Sequence, residues 1–263
     1  MKLDFACRVD IGLRKTNDDR ALVLNSVINQ TAIHGVGEAP AVAAVCDGCG
    51  GYAGGGIAAE TVLSIFLKEF DNNTNIQDTL PKILDDAILA VRNKKKEYPH
   101  YSEMCTTVAG CVFLDDSTVI FHAGDTRVYR YDGKNLARMT IDHSVVQNMV
   151  DMGVITEAEA LSNPKRNIIN RCIGMECPPP EIYISHTPIS PGELYLICSD
   201  GFWESATDKE IIELLSNNLP LPKMVDLLVS FAKEHGSDDN ITVCLCARQG
   251  KIKQEEETVF ILD

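Results

Sequence analysis

Four aspartates stand where runs of small apolar residues stop. Asp47 follows AVAAVC, Asp125 follows VIFHAG, Asp200 follows LYLICS, and Asp239 comes just before NITVCLCA. Taken singly, aspartate beside glycine is turn chemistry, because Gly tolerates positive φ and Asp bonds its own backbone. Asp132-Gly133, inside VYRYDGKNLARM, reads that way, as a hairpin turn with no catalytic role. The other four end runs that look like buried strands, and strand ends of one packed sandwich can meet along one edge. Carboxylates gathered there repel one another and their pKa values rise, unless cations lie between them. Oxygen-only ligands with no His or Cys cluster favour hard ions, magnesium or manganese. Gly48, having no side chain, lets its carbonyl come close to such an ion.

The segment GLRKTNDDR places Arg14 four residues before Asp18, which Asp19 follows. A guanidinium can grip phosphate through two parallel hydrogen bonds. Carboxylates next to a metal centre can hold its waters. Arginine, clustered carboxylates and hard ions together point to hydrolysis of a phosphate ester.

The stretch VCDGCGG also forms a CxxC from Cys46 and Cys49. A structural zinc would want a second such pair. A thioredoxin-like motif would open a helix directly after its strand, whereas a glycine run follows here. Most of the ten cysteines lie in apolar strand-like runs, where Cys acts as a small hydrophobe. Reduced thiols with packing roles are therefore expected.

Acidic residues number 38 and basic ones 24, a net charge of −14. The single basic cluster, KKK at 94–96, reads as the solvated end of a helix. Such a chain has no stripe for a phosphate backbone, so nucleic acid is excluded as a partner. No apolar run reaches the roughly 18 residues that span a bilayer. The opening MKLDFACRVD lacks the basic-then-apolar layout of an export signal. A cytoplasmic location and no membrane partner are the expectations.

The elements that must hold the aspartates can be read from periodicity. Strands are expected near 5–11, 20–28, 41–46, 106–114, 117–123, 127–131, 181–186, 194–199 and 241–248. Helical stripes cover 57–70 and 76–97. Thr207 with Glu210 makes a capping box before Ile211. A last helix starts at Pro222 and ends by Gly236. Residues 29–40 read as a loop, and 140–180 as a weakly patterned insertion with one or two short helices. In its DHS, Asp142 is expected to cap the helix starting near Ser144, and His143 to be structural because no second histidine accompanies it. Strands come in runs and helices in pairs, which indicates an α+β fold of antiparallel sheets covered by helix pairs. One domain over residues 1–250 and a short tail, 251–263, are expected.

Eight blocks appear in order between Phe5 and Arg248: GLRKTNDDRAL, VCDGCGGYAGG, CTTVAGCVF, HAGDTRVYRY, TIDHSVVQNMVDMGVIT, NPKRNIINRCIGM, ICSDGFWES and GSDDNITVCLC. In this the chain resembles the metal-dependent serine/threonine protein phosphatases of type 2C, in their bacterial form. The resemblance implies a central sandwich of two antiparallel β-sheets flanked by pairs of antiparallel helices, in α/β/β/α layers. It implies two divalent metal ions, manganese or magnesium, with a third, weaker one. Asp47 would bridge the first two, with the Gly48 carbonyl on one of them and Asp200 and Asp239 on the other. Asp125 would hold the third with Asp200. Asp18 and Asp19 match an acidic pair that contacts metal-bound water, Arg14 matches the phosphate-gripping arginine, and Asn240 buttresses the last ligand loop. The implied reaction is hydrolysis of phosphoserine and phosphothreonine esters by a hydroxide bridging two ions about 4 Å apart. The implied partners are phosphorylated proteins, substrates of a serine/threonine kinase.

Cys49 occupies the position where animal members carry a histidine proposed as general acid, which leaves a metal-bound water for that role. The insertion 140–180 matches the family's flap, whose Arg166 and Arg171 can meet acidic substrate segments or serve the surface. Three rivals differ in specific ways. A two-metal nuclease should carry a basic groove. A calcium module packs its acids within about 12 residues. A catalytically silent phosphoprotein-binding pseudophosphatase would have lost a metal ligand, and none is missing.

Overall fold

Apolar runs become strands here, and their continuity follows from burial on both faces. The computed structural model describes residues 1–49, 54–71 and 75–249; the tail expected at 251–263 lies outside them. In chain order come β1 (Lys2–Asp10), β2 (Arg20–Val23), β3 (Ser26–Ile28), β4 (Ala32–Glu38), β5 (Ala41–Cys46) and β6 (Gly48–Cys49). Helices α1 (Gly55–Glu69) and α2 (Ile76–Glu97) follow, then β7 (Cys105–Thr106), β8 (Val108–Phe113), β9 (Thr118–Ala123), β10 (Arg127–Tyr131) and β11 (Leu136–Arg138). The flap holds α3 (Val145–Asp151) and α4 (Glu157–Leu161). The rest is β12 (Glu181–Ser185), β13 (Leu194–Cys198), α5 (Asp200–Trp203), α6 (Asp208–Leu215), α7 (Leu221–Glu234) and β14 (Ile241–Arg248).

One sheet runs β11-β10-β13-β14-β1-β4, the other β12-β9-β8-β5-β2-β3, and β6 and β7 form a separate two-stranded ribbon. Strand neighbours are antiparallel throughout, as in β1 with β14 and β5 with β8. Side chains alternate across each strand. On β5, Ala43 and Val45 point between the sheets, while Val42, Ala44 and Cys46 face α1 and α2. On β14, Cys244 and Cys246 point inward, while Val243 and Leu245 meet α6 and α7. Three apolar layers thus separate the four layers of structure, helix pair, sheet, sheet and helix pair, as the resemblance implied.

Helix α2 matches its sequence stripe, with Asn75 capping its start by accepting from the Gln77 N–H. Its Lys94, Lys95 and Lys96 lie in the last turn, where cations complement the helix dipole. Helix α6 shows the reciprocal capping box of Thr207 and Glu210, and α7 has Pro222 as its second residue.

Elsewhere the structure departs from the sequence reading. Residues 20–28 are a hairpin rather than one strand, with Leu24 and Asn25 at φ 50° and 55° in the turn. Residues 32–38, expected as loop, are an edge strand paired along β1. Its pattern was masked by Gly35 and Gly37, which leave room for Leu24 and the Phe5 ring; a Cβ at either would lie 2.9 Å from them. Asp142 does not cap α3. Ser144 does, accepting from the Gln147 N–H, while Asp142 turns inward to Arg127. A buried carboxylate needs a charged partner more than an exposed helix start needs a second cap.

Candidate active site

The four strand-end aspartates meet at one edge of the sandwich, joined there by Asp18 and Asp19. Asp47 directly follows β5, and its backbone is pinned to the junction of β7 and β8. Its N–H donates to Thr107 Oγ1 (3.0 Å), and its carbonyl accepts from Thr107 N–H and Thr106 Oγ1, both at 2.9 Å. Thr107 Oγ1 in turn shares a 2.6 Å bond with Thr126 Oγ1, which ties the Asp47 turn to the loop of Asp125. Trp203 Nε1 donates to the Asp125 carbonyl (2.9 Å), and the Arg127 guanidinium lies 3.4 Å over the Trp203 ring. Arg127 then binds both Asp142 oxygens, at 3.0 and 2.6 Å, so the Asp125 loop and the start of the flap share one buried strut.

Gly48 sits where backbone crowds backbone. A Cβ there would come within 2.6 Å of the Gly55 carbonyl oxygen and 2.7 Å of the Asp18 oxygen, so only glycine fits between them. Asp200 opens α5, and Gly201 after it abuts the Asn240 carbonyl, which a Cβ would meet at 2.0 Å.

The N-terminal segment is held to this edge by Asn240. Its Oδ1 accepts from the Asp18 N–H (2.9 Å), and its Nδ2 donates to the Ile11 and Thr16 carbonyls, both at 2.9 Å. Asn240→Ala removes the shared partner of three part-buried backbone groups. We expect a loss on the order of 1–3 kcal/mol in denaturant unfolding, at about 0.5–1 kcal/mol for each lost bond. Asp18 Oδ1 accepts from the Gly56 N–H near the start of α1 (3.0 Å). Asp19 is buried, its Oδ2 taking both Ser199 Oγ (2.8 Å) and Thr242 Oγ1 (2.6 Å). Arg14 lies at the rim, with Nη2 on Asp239 Oδ2 (2.7 Å) and Nε on the Asp238 carbonyl (3.0 Å).

The charges interact as crowding requires. Burial raises the Asp47 carboxyl well above its ordinary range, and the negative charges of Asp200, Asp19, Asp125 and Asp239 raise it further. Burial and then Asp125, Asp239, Asp19 and Glu204 do the same to Asp200. Burial, with Asp142 next, pushes Asp125 to about 7. Asp19 goes to about 6, burial outweighing its two hydroxyl donors. Asp200 Oδ1 is a buried oxygen with no hydrogen-bond partner. Arg14 meets the cluster only at Asp239, at the rim.

A cleft of about 540 Å³ opens beside Asp125, between the flap and α5, lined among others by Arg138, Leu161, Arg166, Trp203 and Glu204. Arg166 spans it to Glu204 (3.4 Å), whereas Arg171 points elsewhere and binds Glu181 (2.6 Å).

His143 does have a second histidine. His122 stacks on it, ring centroids 4.5 Å apart and 9° from parallel, with Glu181 alongside. The trio has the makeup of a metal site, but its hydrogen bonds oppose one. Gly124 N–H points at His143 Nδ1 (3.1 Å), so the neutral ring carries its proton on Nε2, facing Glu181 Oε1 (3.3 Å). No lone pair of that ring remains for an ion. Burial, then the positive charges of His122 and Arg171, lower the His143 pKa to about 4, which keeps the ring neutral. The pair is a strut between β9 and the flap. Its two rings are 21 positions apart in the chain, and no local pattern marks them as neighbours.

Comparisons with known proteins bear on the sequence and the fold. The profile of the family "Protein phosphatase 2C" matches residues 25–246, which takes in Asp47, Asp125, Asp200 and Asp239 and begins after Arg14, Asp18 and Asp19. The chain is 28% identical over 249 residues to the serine/threonine phosphatase stp of Listeria monocytogenes serotype 4b, across 92% of this chain and 94% of that one. The crystal structure of the Mycobacterium tuberculosis serine/threonine phosphatase PstP/Ppp superimposes with a TM-score of 0.79 at 29% identity, over 95% of this chain and 100% of that one. The catalytic domain of PstP in complex with 2 manganese ions gives a TM-score of 0.78 at 26% identity, over 94% and 99%. Sandwich, aspartate edge, flap and sequence match converge on one assignment: the chain belongs to the protein phosphatase 2C family.

Proposed function

We propose that this serine/threonine phosphatase hydrolyses phosphoserine and phosphothreonine in proteins at the aspartate edge, with two divalent ions, manganese or magnesium, held there. The observation that carries the reading is Asp200 Oδ1, a buried oxygen without a donor, among carboxylates whose charges drive one another's pKa upward. Such a set is incomplete without cations, and its all-oxygen chemistry suits hard ones. Asp47, the Gly48 carbonyl, Asp200 and Asp239 would hold the pair, and Asp125 with Asp200 a third, weaker ion. The ions, when bound, supply positive charge and a water acidified for attack on phosphorus.

The chain's own residues do the rest. The Asp47 backbone is fixed by its three bonds to Thr106 and Thr107, so the carboxylate is presented from a rigid turn. Asp19, locked by Ser199 and Thr242, is a fixed negative charge behind the site, and Asp18 is set beside it by Asn240 and Gly56. Arg14, half exposed and anchored to the Asp239 loop, stands where an arriving phosphate meets the edge, and a guanidinium there would neutralise its equatorial oxygens. The cleft under the flap, with Arg138 and Arg166, would receive the polypeptide flanking the phosphoresidue, including acidic segments. The partners in this reading are proteins phosphorylated by a serine/threonine kinase. One phosphatase domain spans residues 1–250, with the flap at 140–180. The silent, phosphoprotein-binding alternative has no support, since every aspartate the chemistry needs is in place.

The test is hydrolysis of para-nitrophenyl phosphate and of a phosphothreonine peptide, with manganese and with chelator. Manganese-dependent turnover of both is expected. Absence of turnover in folded, manganese-loaded protein would sink the hydrolytic reading.

A further inference from the structure

Four thiols gather behind the Asp47–Gly48 turn, and the hydrolytic reading uses none of them. Cys49 ends β6, Cys105 opens β7, and Cys172 and Cys177 lie near the end of the flap; all are free. Cys49 and Cys105 are directly opposed in the β6–β7 ladder. Opposed residues of an antiparallel pair have Cα atoms about 4.5–5.5 Å apart, inside the about 4.4–6.8 Å that a disulfide spans. The Cys49 thiol donates to the Asp47 carbonyl (3.5 Å), and both it and the Cys172 thiol lie close enough to Cys105 to act on its charge.

The register discriminates between the two neighbours. The bridge from Thr106 to Ile173 sets Cys105 opposite Gly174, which puts Cys172 on the diagonal. Diagonal residues lie about 7–8 Å apart, beyond a disulfide's reach without backbone movement. Access points the same way, because Cys49 is partly exposed whereas Cys172 is buried. Lys95, held by donating to the Gly174 carbonyl (2.6 Å), brings a positive charge to act on Cys105.

We propose that Cys49 and Cys105 form a reversible disulfide when the protein meets a peroxide, and that the bond clamps the strand bearing Gly48 to β7. One sulfur of the pair, as its thiolate, attacks one peroxide oxygen, the O–O bond breaks, and hydroxide leaves and is protonated to water. The other sulfur then attacks the resulting sulfenic sulfur, giving the S–S bond and a second water that carries off the thiol proton. Two thiols are oxidised by two electrons in all, and one hydrogen peroxide is reduced to two waters.

The experiment treats the reduced whole protein with hydrogen peroxide, alkylates the remaining thiols and maps the peptides without reductant. Expected are the loss of two alkylated thiols, a cross-linked peptide joining Cys49 to Cys105, and full reversal by dithiothreitol. Cys172→Ser should keep the cross-link, and Cys105→Ser should abolish it. Should Cys105→Ser fail to fold, the wild-type map alone decides. A link from Cys105 to Cys172, a link from Cys172 to Cys177, oxidation of Cys49 without a cross-link, or an unchanged thiol count would each overturn the proposal. The outcome is read on sulfur and is independent of whether the aspartate edge hydrolyses phosphate.

Discussion

Asp200→Asn lowers manganese-dependent kcat/KM about 10³-fold or more and, in the presence of chelator, makes the protein more stable than wild type. Losing one strong electrostatic contribution in an active site costs about 10²–10³ in rate, and Asp200 serves two ions in the reading above. The stability effect has the opposite sign because, without cations, this carboxylate is a burden. Its Oδ1 is buried and unpartnered, and Asp125, Asp239 and Asp19 repel it. Asparagine keeps the shape and removes the charge. The gain should be on the order of 1 kcal/mol or more, the repulsion of two charges about 4 Å apart even at water's dielectric. At this chain length that is about 2–4 °C in melting temperature. An aspartate that merely tied the fold together would lose stability on substitution with or without chelator. Loss of activity with a lower melting temperature in chelator would therefore contradict the assignment.

The metal-free wild type should be more stable at pH 5 than at pH 8. Asp125 and Asp19 titrate at about 7 and about 6 in the fold, against about 3.9 for an unfolded aspartate. A carboxyl raised by folding holds its proton more tightly in the native state. The stability this confers is full below about pH 4 and is lost as pH climbs through the folded values, to about pH 7. Asp47 and Asp200 shift in the same direction and extend the loss upward. Because the groups interact, their contributions do not add, and the lowered His143 and His122 work the other way below about pH 6.5, so a net difference on the order of a few kcal/mol is the expectation. Chemical denaturation at pH 5, 6.5 and 8 with chelator measures it. Saturating manganese should flatten the slope or reverse it, since the ions compete with protons for the same oxygens. A metal-free protein that grows more stable from pH 5 to pH 8 would show that these carboxylates are not crowded in the way described.

What could be read from the chain beforehand, and what could not, divides by the range of the interaction. The Asp47, Asp125, Asp200 and Asp239 pattern is local. A doubly covered strand must be apolar throughout, so its end is visible where a carboxylate appears, as AVAAVC before Asp47 illustrates. Helix α2 was legible because one face of 22 residues repeats, and α6 because its capping box spans only four positions. β4 was hidden because it is an edge strand with two glycines and half-exposed side chains, for which alternation alone says little. Helix α5 was hidden because four residues carry no period. The Arg127–Asp142 pair, the His122–His143 stack and the tie of Arg14 to Asp239 join segments remote in sequence, and no local pattern announces them. The roles of Arg14, Asp18 and Asp19 were suggested by residue type in GLRKTNDDR, and the family resemblance then matched them position by position.

The place of β14 in its sheet bears on how the molecule is made. Although late in the sequence, it lies between β13 and β1, near the middle of the strand order. Asn240, just before it, holds Asp18, a partner 222 residues earlier. During translation, at about 5–20 residues per second, β1 must wait about ten seconds or longer for its central neighbour. Until then one sheet is open down the middle, and the long-range pairing that slows folding and exposes strand edges is still to come. Asp239 arrives with that same strand. A ribosome-bound or truncated chain lacking it can have neither a closed sheet nor a full set of carboxylates, so the cell gains no active phosphatase from an unfinished copy.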